Sequence, residues 1–174
     1  MVKQLNHEEC KKLHKKFKSN MIFVLENFEH EENIGSAFRL ADAFNIESVI
    51  IVSKNQINLK KALKTARNCE KYINYHIVEE IDDALKIVEE KGFKPICVDY
   101  TSHSTPLREV DFAQDNGVAL IMGNERNGVS EETLQKVEKS VHIDMYGNNS
   151  SMNVSTALAI VAYKASEDLL KKYF

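Results

Sequence analysis

Short, uninterrupted apolar runs recur along this 174-residue chain and alternate with amphipathic segments. The clearest runs are residues 21–25, 48–52 and 117–122, which read MIFVL, SVIIV and GVALIM. Uninterrupted runs of this length are typical of strands that are buried on both faces of a parallel sheet. We therefore predict an α/β fold with a mostly parallel sheet flanked by helices.

The remaining elements follow from the same patterns. Further strands are predicted at 75–78, 94–99 and 140–143, and residues 101–115 are expected to be mainly loop. Predicted helices are a short basic one at 1–20, one that Asn33 caps, 81–91 closed by Gly92, one capped by Ser130, and a long one over 153–172. Residues 60–71 are expected to form a basic connecting segment.

Composition narrows the class of protein. The chain is 43% hydrophobic and 28% charged, which is typical of one globular domain. It has no apolar run long enough to cross a bilayer, and its polar start does not have the pattern of a signal peptide. The three cysteines are scattered and form no C-x-x-C pair, which argues against a disulfide framework or a zinc site. We expect a cytoplasmic protein that binds neither membrane nor metal.

The charge is unevenly distributed, although the net value is only −3. Residues 1–20 contain six lysines and two glutamates. A second basic cluster lies within 54–71 and includes Lys60, Lys61, Lys64 and Arg67. Such patches can bind phosphates even on a mildly acidic protein, but ordinary solvated helix faces have the same pattern.

Three polar segments follow apolar runs at points where a simple core element would not need them. They are residues 33–39 (NIGSAFR), 122–128 (MGNERNG) and 151–155 (SMNVS). In open α/β sheets, ligands bind where strands lead into helices. Neither G-x-G-x-x-G nor G-x-x-x-x-G-K-[ST] occurs, so an ordinary dinucleotide-binding or nucleotide-hydrolysing domain is disfavoured.

Taken together, these segments resemble the motifs of the SpoU (TrmH-type) RNA 2′-O-ribose methyltransferases of the SPOUT superfamily. The first motif corresponds to Asn33, Gly35 and Arg39, and the second to the strand that leads into residues 123–128. The third corresponds to residues 143–145 followed by 151–155. Two positions depart from the family pattern: Asp144 replaces a usual proline, and Asn45 replaces a glycine for which asparagine is a tolerable substitute.

The resemblance implies a deep trefoil knot in the C-terminal half and a homodimer whose active site lies at the subunit interface. The methyltransferase domain would span 21–174, after a basic helical extension at 1–20. The dimer would pack through the first and last helices of that domain, so Val154, Ala157 and Val161 are candidates for the interface as well as for the core.

The resemblance also implies that S-adenosyl-L-methionine binds in the knotted loops. The cofactor-binding residues would be Tyr100, Gly123, Ile143, Met145, Ser151 and Met152. Gly123, which has no Cβ, would let the backbone approach the adenosine closely. Tyr100 is included by position alone, because it lies outside the motifs.

Arg39 is the leading catalytic candidate that the resemblance implies. A guanidinium stays protonated in proteins, so we expect a cation that grips a phosphate and stabilises developing oxyanion charge, rather than a base. Asn33 would orient RNA or Arg39, Glu125 would hold one of these two residues, and Ser151 and Asn153 would shape the pocket floor. Surface or helix-capping roles are the ordinary alternatives for such residues, and Arg126 and Asn127 stay open.

Three functional hypotheses follow. The first is RNA 2′-O-ribose methylation, with tRNA favoured over ribosomal RNA and with Lys60, Lys61, Lys64 and Arg67 contacting phosphates. The second is a non-catalytic RNA-binding protein that has kept the knot. The third is a nucleotide-binding protein unrelated to RNA.

Overall fold

The computed structural model describes residues 2–13, 17–66 and 69–173. Within these ranges, one sheet contains seven strands, and every strand pair is parallel. The strands are β1 (Ser19–Glu26), β2 (Ile46–Val52), β3 (Asn74–Val78), β4 (Lys94–Val98), β5 (Thr105–Pro106), β6 (Val118–Met122) and β7 (Ser140–His142). Their spatial order is β3-β2-β1-β6-β4-β7-β5. The predicted α/β class and parallel sheet are confirmed.

Helices cover both faces of the sheet. They are α1 (His7–Leu13), α2 (Glu31–Ala43), α3 (Leu59–Ala66), α4 (Ile81–Glu90), α5 (Glu131–Lys136) and α6 (Val154–Leu170). Helices α2, α3 and α6 supply apolar side chains to one core, and α4 and α5 supply them to the core on the opposite face. The layers are those of a doubly covered parallel sheet.

The position of β1 at the centre of the sheet explains why its sequence is apolar without alternation. Phe23 and Leu25 point into the core beneath α2 and α6, and Ile22 and Val24 point into the core beneath α4. All four side chains are fully buried. Because successive side chains in a strand face opposite sides, a strand covered on both sides needs apolar residues at every position.

The N-terminal segment differs from the prediction. Among the described residues of this segment, the helix is α1, and β1 already begins at Ser19. Asn6 and Glu9 cap α1 reciprocally: Asn6 Oδ1 accepts a 3.0 Å bond from Glu9 N, and Glu9 Oε2 accepts a 2.9 Å bond from Asn6 N. Leu5 and Leu13 are 41% and 68% exposed, so they do not anchor the segment. Its division from 21–174 as a separate unit stays a prediction.

Two further segments contain more structure than expected. The basic connecting segment contains α3, followed by a 3-10 turn at Cys69–Lys71. The predicted loop 101–115 contains β5 and the 3-10 turns Leu107–Glu109 and Phe112–Gln114. Strand β5 has only two residues, which pair with Val141 and His142 of β7, and so short a strand leaves no periodic pattern.

The turn residues behave as their chemistry predicts. Gly92 follows α4 with φ 70°, and Asn45 follows α2 with φ 47°. Asn45 therefore adopts the left-handed conformation that the substituted glycine would have supplied. Its side chain also donates a 2.7 Å bond to Phe17 O, which ties the approach to β1 to the end of α2.

Within the described ranges, no helix is both long and apolar enough to span a membrane. The trefoil knot stays a prediction. Since all strands run in parallel, the loops after β1, β2, β4, β6 and β7 meet at the carboxyl edge of the sheet.

Candidate active site

A cavity of about 300 Å³ lies at this edge, beyond β4, β6 and β7. Three loops form its walls: residues 98–100, 122–128 and 142–152 all contribute, together with Val154 and Ala157 at the start of α6. Both polar and apolar residues line it, as is typical of a site for a small organic ligand.

The structure brings all six predicted cofactor-binding residues to this cavity. Its lining includes Tyr100, Gly123, Ile143, Met145, Ser151 and Met152. Glu125, Arg126 and Asn127 also line it, which places the two residues left open by the sequence at the site. Three predicted catalytic residues, Arg39, Asn33 and Asn153, are not in the lining.

Gly123 is required by the loop itself. A Cβ at this position would lie 2.0 Å from the carbonyl carbon of Gly128 and 2.1 Å from Val129 N. The close approach that the structure shows is to the returning segment of the same loop, and the predicted close approach to adenosine stays a prediction. Gly128 has φ 70°, so the loop needs a glycine at both ends.

Asp99, which lies outside the motifs, and Asn124, which lies within the second one, hold this loop. Asp99 Oδ2 accepts a 2.8 Å bond from Val129 N, and Asp99 Oδ1 accepts a 2.7 Å bond from Tyr100 N. Asn124 Oδ1 accepts bonds from Arg126 N at 3.0 Å and Asn127 N at 3.1 Å. The signal in the sequence was their position directly after a strand.

Glu125 joins the second motif to the first. Its carboxylate accepts bonds from Glu29 N at 2.9 Å, His30 N at 3.1 Å and Asn33 Nδ2 at 2.8 Å. Partial burial raises the pKa of Glu125, but the hydrogen bonds from Glu29, Asn33 and His30 outweigh it and hold the pKa below its usual value. Of the two partners predicted for Glu125, the structure selects Asn33 rather than Arg39.

Asn33 continues the network to the third motif. Its Oδ1 accepts a 3.1 Å bond from Asn153 Nδ2, so Glu125, Asn33 and Asn153 form one hydrogen-bonded chain. Asn33 is buried within the first turn of α2, and the N-cap is His30. The prediction that Asn33 caps this helix is therefore wrong, because Glu125 satisfies the backbone amides that precede it.

Asn153 caps α6 instead of forming the cavity floor. Its Oδ1 accepts bonds from Ser155 N at 2.9 Å and Thr156 N at 3.2 Å, and its Nδ2 donates to Asn33. The residue thus has the ordinary capping role and also joins the first and third motifs. Ser130 caps α5 as predicted, accepting a 3.2 Å bond from Thr133 N.

Arg39 is exposed on α2. It forms no hydrogen bond or ion pair with any residue that the structure describes. It lies on the same helix as Asn33, yet outside the cavity of its own chain.

Among the interface candidates, Val161 is fully buried within the chain and belongs to its core. Val154 and Ala157 are half-buried and line the cavity.

The basic residues predicted to contact phosphate differ in their surroundings. Lys60 and Lys64 are exposed on α3. Lys61 pairs with Glu31 at 3.1 Å and with Glu32 at 3.3 Å, so its charge is already balanced. Arg67 lies outside the described residues.

Asp144, the departure from the family pattern, forms an ion pair with Arg108. The Arg108 guanidinium lowers the pKa of Asp144, and the carboxylate in turn raises the pKa of Arg108. Next to it, His142 lines the cavity with its ring centroid 4.2 Å from that of Tyr100. His142 Nδ1 also lies 2.9 Å from Ser104 Oγ. These contacts tie the cavity to the segment that contains β5.

The structure thus combines a parallel α/β sheet with an open three-loop cavity at its carboxyl edge, which hydrogen bonds link to the start of α2. The chain belongs to the SpoU rRNA Methylase family, whose model matches residues 20–163.

Relatives and solved structures agree with this family. The tRNA (guanosine(18)-2′-O)-methyltransferase of Thermus thermophilus is 26% identical over 152 residues, which cover 87% of this chain and 77% of that protein. The crystal structure of the Aquifex aeolicus TrmH/SpoU tRNA modifying enzyme is similar with a TM-score of 0.75 and 26% identity, covering 89% of this chain and 78% of that one.

The SpoU methyltransferase AviRb from Streptomyces viridochromogenes has the same fold, with a TM-score of 0.78 and 21% identity. The similarity covers 87% of this chain, which spans only 60% of the length of AviRb.

Proposed function

We propose that the chain is an S-adenosyl-L-methionine-dependent RNA 2′-O-ribose methyltransferase that acts on tRNA. The observation that carries the proposal is the hydrogen-bonded chain Glu125–Asn33–Asn153, which joins all three motifs beside one cavity. The named activities of the Thermus and Aquifex relatives support tRNA as the RNA class.

The cavity fits the cofactor in size and chemistry. Met145 and Met152 offer apolar contact, Ser151 offers a hydroxyl, and the 123–128 loop offers backbone groups held in place by two glycines. Tyr100 and Ile143 complete the predicted binding set. When bound, S-adenosyl-L-methionine supplies an electrophilic methyl group on a good leaving group. The chain must then position the ribose hydroxyl in line, which is worth roughly 7–11 kcal/mol in favourable cases.

Arg39 completes the site in this proposal, and it does so from a second copy of the chain. A homodimer accounts for an exposed arginine that has no partner among the described residues of its own chain. It also accounts for the apolar side chains on the surface of α6, where Ile160 and Tyr163 are 39% and 59% exposed. The guanidinium would hold the phosphate beside the target ribose and stabilise negative charge as the hydroxyl loses its proton to that phosphate or to solvent.

Asn33 and Glu125 support this arrangement without touching the reacting atoms. Glu125 fixes the start of α2, the helix that carries Arg39, and the same carboxylate fixes the 123–128 loop. They are therefore positioning residues.

The predicted trefoil knot and cytoplasmic location belong to the same proposal. A knot would hold the three cavity loops together by threading one through another. A cytoplasmic location agrees with an RNA substrate.

The same chemistry on ribosomal RNA is the close alternative, and the family name supports it. A non-catalytic RNA-binding role is disfavoured because Arg39, Glu125 and Asn153 are all present.

The direct test is to incubate the purified protein with methyl-labelled cofactor and, separately, bulk tRNA and ribosomal RNA. The proposal predicts label in 2′-O-methylated nucleosides from tRNA. Label only in ribosomal RNA would show that the substrate is ribosomal RNA instead of tRNA, and no label in either RNA would contradict the proposal.

The dimer can be tested by co-expressing two differently tagged variants, Arg39→Ala and Gly123→Ala. Each homodimer should be inactive. Mixed dimers hold one intact site, so a statistical mixture should recover about a quarter of the wild-type rate. Absence of recovery in dimers that carry both tags would contradict the sharing of residues between subunits.

A further inference from the structure

A second cavity, of about 290 Å³, lies at the carboxyl ends of β1 and β2. Its walls are the loop after β1, the first turn of α2 and the loop after β2. We call it the amide cavity and define it by Asn27, Phe28, Glu31, Asn55, Gln56 and Asn124. Asn124 also lines the cofactor cavity, so the two cavities are neighbours that share one wall.

The amide cavity has three amide side chains without partners. Those of Asn27, Asn55 and Gln56 form no hydrogen bond with any residue in the part of the chain that the structure describes. Beneath them, Phe28 and Ile34 are buried apolar residues. An apolar floor with a rim of groups that both donate and accept hydrogen bonds suits a planar heteroaromatic ring.

The charge of the amide cavity disfavours a phosphate ligand. Glu29 and Glu31 both border it. A bond from its own backbone amide, and next the Lys61 ammonium, lower the pKa of Glu31, which therefore stays ionised at neutral pH. Carboxylates repel phosphate but accept hydrogen bonds from amino and imino groups, which nucleobases carry.

The position of the amide cavity relates it to both predicted binding partners. Asn27 has φ 54°, and its carbonyl oxygen accepts a 2.8 Å bond from Asn124 Nδ2. The rim is thereby fixed to the loop that forms the cofactor cavity. On the other side, α3 begins two residues after the lining residue Ile57 and presents Lys60 to solvent.

We propose that the amide cavity binds a nucleobase of the RNA substrate while Lys60 contacts a neighbouring phosphate. The inference rests on the proposed function and names a site for it. Base contacts carry sequence information, whereas phosphate contacts set position. The amide cavity would therefore contribute to the choice of RNA, and the cofactor cavity would not.

The test is the double variant Asn55→Ala/Gln56→Ala in the full chain, with Gln135→Ala as the matched control. Gln135 is an exposed amide on α5, remote from both cavities. Methylation of bulk tRNA, cofactor affinity by calorimetry and melting temperature are measured for each protein. The double variant should raise the KM for tRNA about tenfold, from the loss of two amide hydrogen bonds. Cofactor affinity and melting temperature should match those of the control.

Salt dependence separates this site from a phosphate site. The double variant removes no charge, so the slope of log KM against log salt should stay at the wild-type value. An unchanged KM, or a changed slope, would overturn the amide cavity as a base site while wild-type activity upholds the proposed function. A wild-type protein that methylates no RNA would overturn both.

Discussion

Asn33 Nδ2 donates a 2.8 Å hydrogen bond to Glu125 Oε1 across 92 residues of sequence. This bond connects the helix that carries Arg39 to the loop that forms the cofactor cavity. Asn33 passes the connection on to Asn153 at the start of α6. The three motifs are thus one structural unit, and perturbing any of these residues should affect the others.

Glu125→Gln tests this unit through its pH dependence. The folded-state pKa of Glu125 lies below its usual value of 4.5, so its ionised form stabilises the fold above that pH. The stabilisation is lost as pH falls through the lowered value. The variant should lose about 2 kcal/mol at pH 7, and its deficit against wild type should shrink at pH 3.5.

Thermal unfolding across this range measures the difference. Glu138→Gln, at an exposed glutamate, is the control and should show no such trend. An equal deficit for Glu125→Gln at both pH values would contradict the role of an ionised carboxylate.

Gly123→Ala should disrupt the cavity loop. The added Cβ would lie 2.0 Å from the backbone of Gly128, where no side chain can move aside. We expect a loss of about 1–3 kcal/mol in stability and weaker binding of cofactor. Gly147→Ala, in the same region of the chain but with no atom within 4 Å of the new Cβ, should be neutral in calorimetry and unfolding. Equal behaviour of the two variants would rule out the close approach.

Changing Lys60 and Lys64 to alanine should weaken RNA binding and reduce the slope of log K against log salt by roughly 1–2. Lys61→Ala should have a smaller effect, because Glu31 and Glu32 already balance its charge. Lys86→Ala, on α4 across the sheet, is the control. Filter binding at several salt concentrations measures the slope, and equal slopes for all variants would remove α3 from the RNA surface.

Much of the fold could be predicted because buried parallel strands need apolar residues at every position. Residues 21–25 and 118–122 therefore stand out in the sequence. The order of the strands and the pairing of β5 depend on contacts between distant residues, which leave no local pattern. The N-terminal helix was overextended because lysines favour a helix whether or not a core is there to receive it.

The sequence predicted which residues belong to the site, but it did not predict how those residues contact one another. Tyr100, Gly123 and Ser151 do line one cavity. The partners of Glu125 and the place of Asn33 inside α2 could not be deduced, because a hydrogen bond across the sheet has no sequence spacing. Asp99 went unnoticed, and the part that Asn124 takes in the loop could not be deduced, for the related reason that their partners are backbone amides, which every residue has.

Arg39→Ala should lower the turnover rate by about 10²-fold or more, which abolishes useful activity. Cofactor affinity and melting temperature should stay at wild-type values. The exposed guanidinium has no partner among the described residues, so its removal should cost the fold little. Arg39→Lys keeps the charge but not the two-pronged geometry, and should recover only part of the rate. Loss of cofactor binding in parallel with turnover would contradict the assigned role.

The central claim is that the protein transfers a methyl group to a ribose hydroxyl at the three-loop cavity and that Arg39 is required for this transfer. The most direct measurement is mass spectrometry of nucleosides from tRNA incubated with methyl-labelled cofactor and either wild-type or Arg39→Ala protein. We predict labelled 2′-O-methylribose nucleosides with the wild type and none with the variant, although both bind cofactor equally. Label on a base, or equal ribose labelling by both proteins, would contradict the claim.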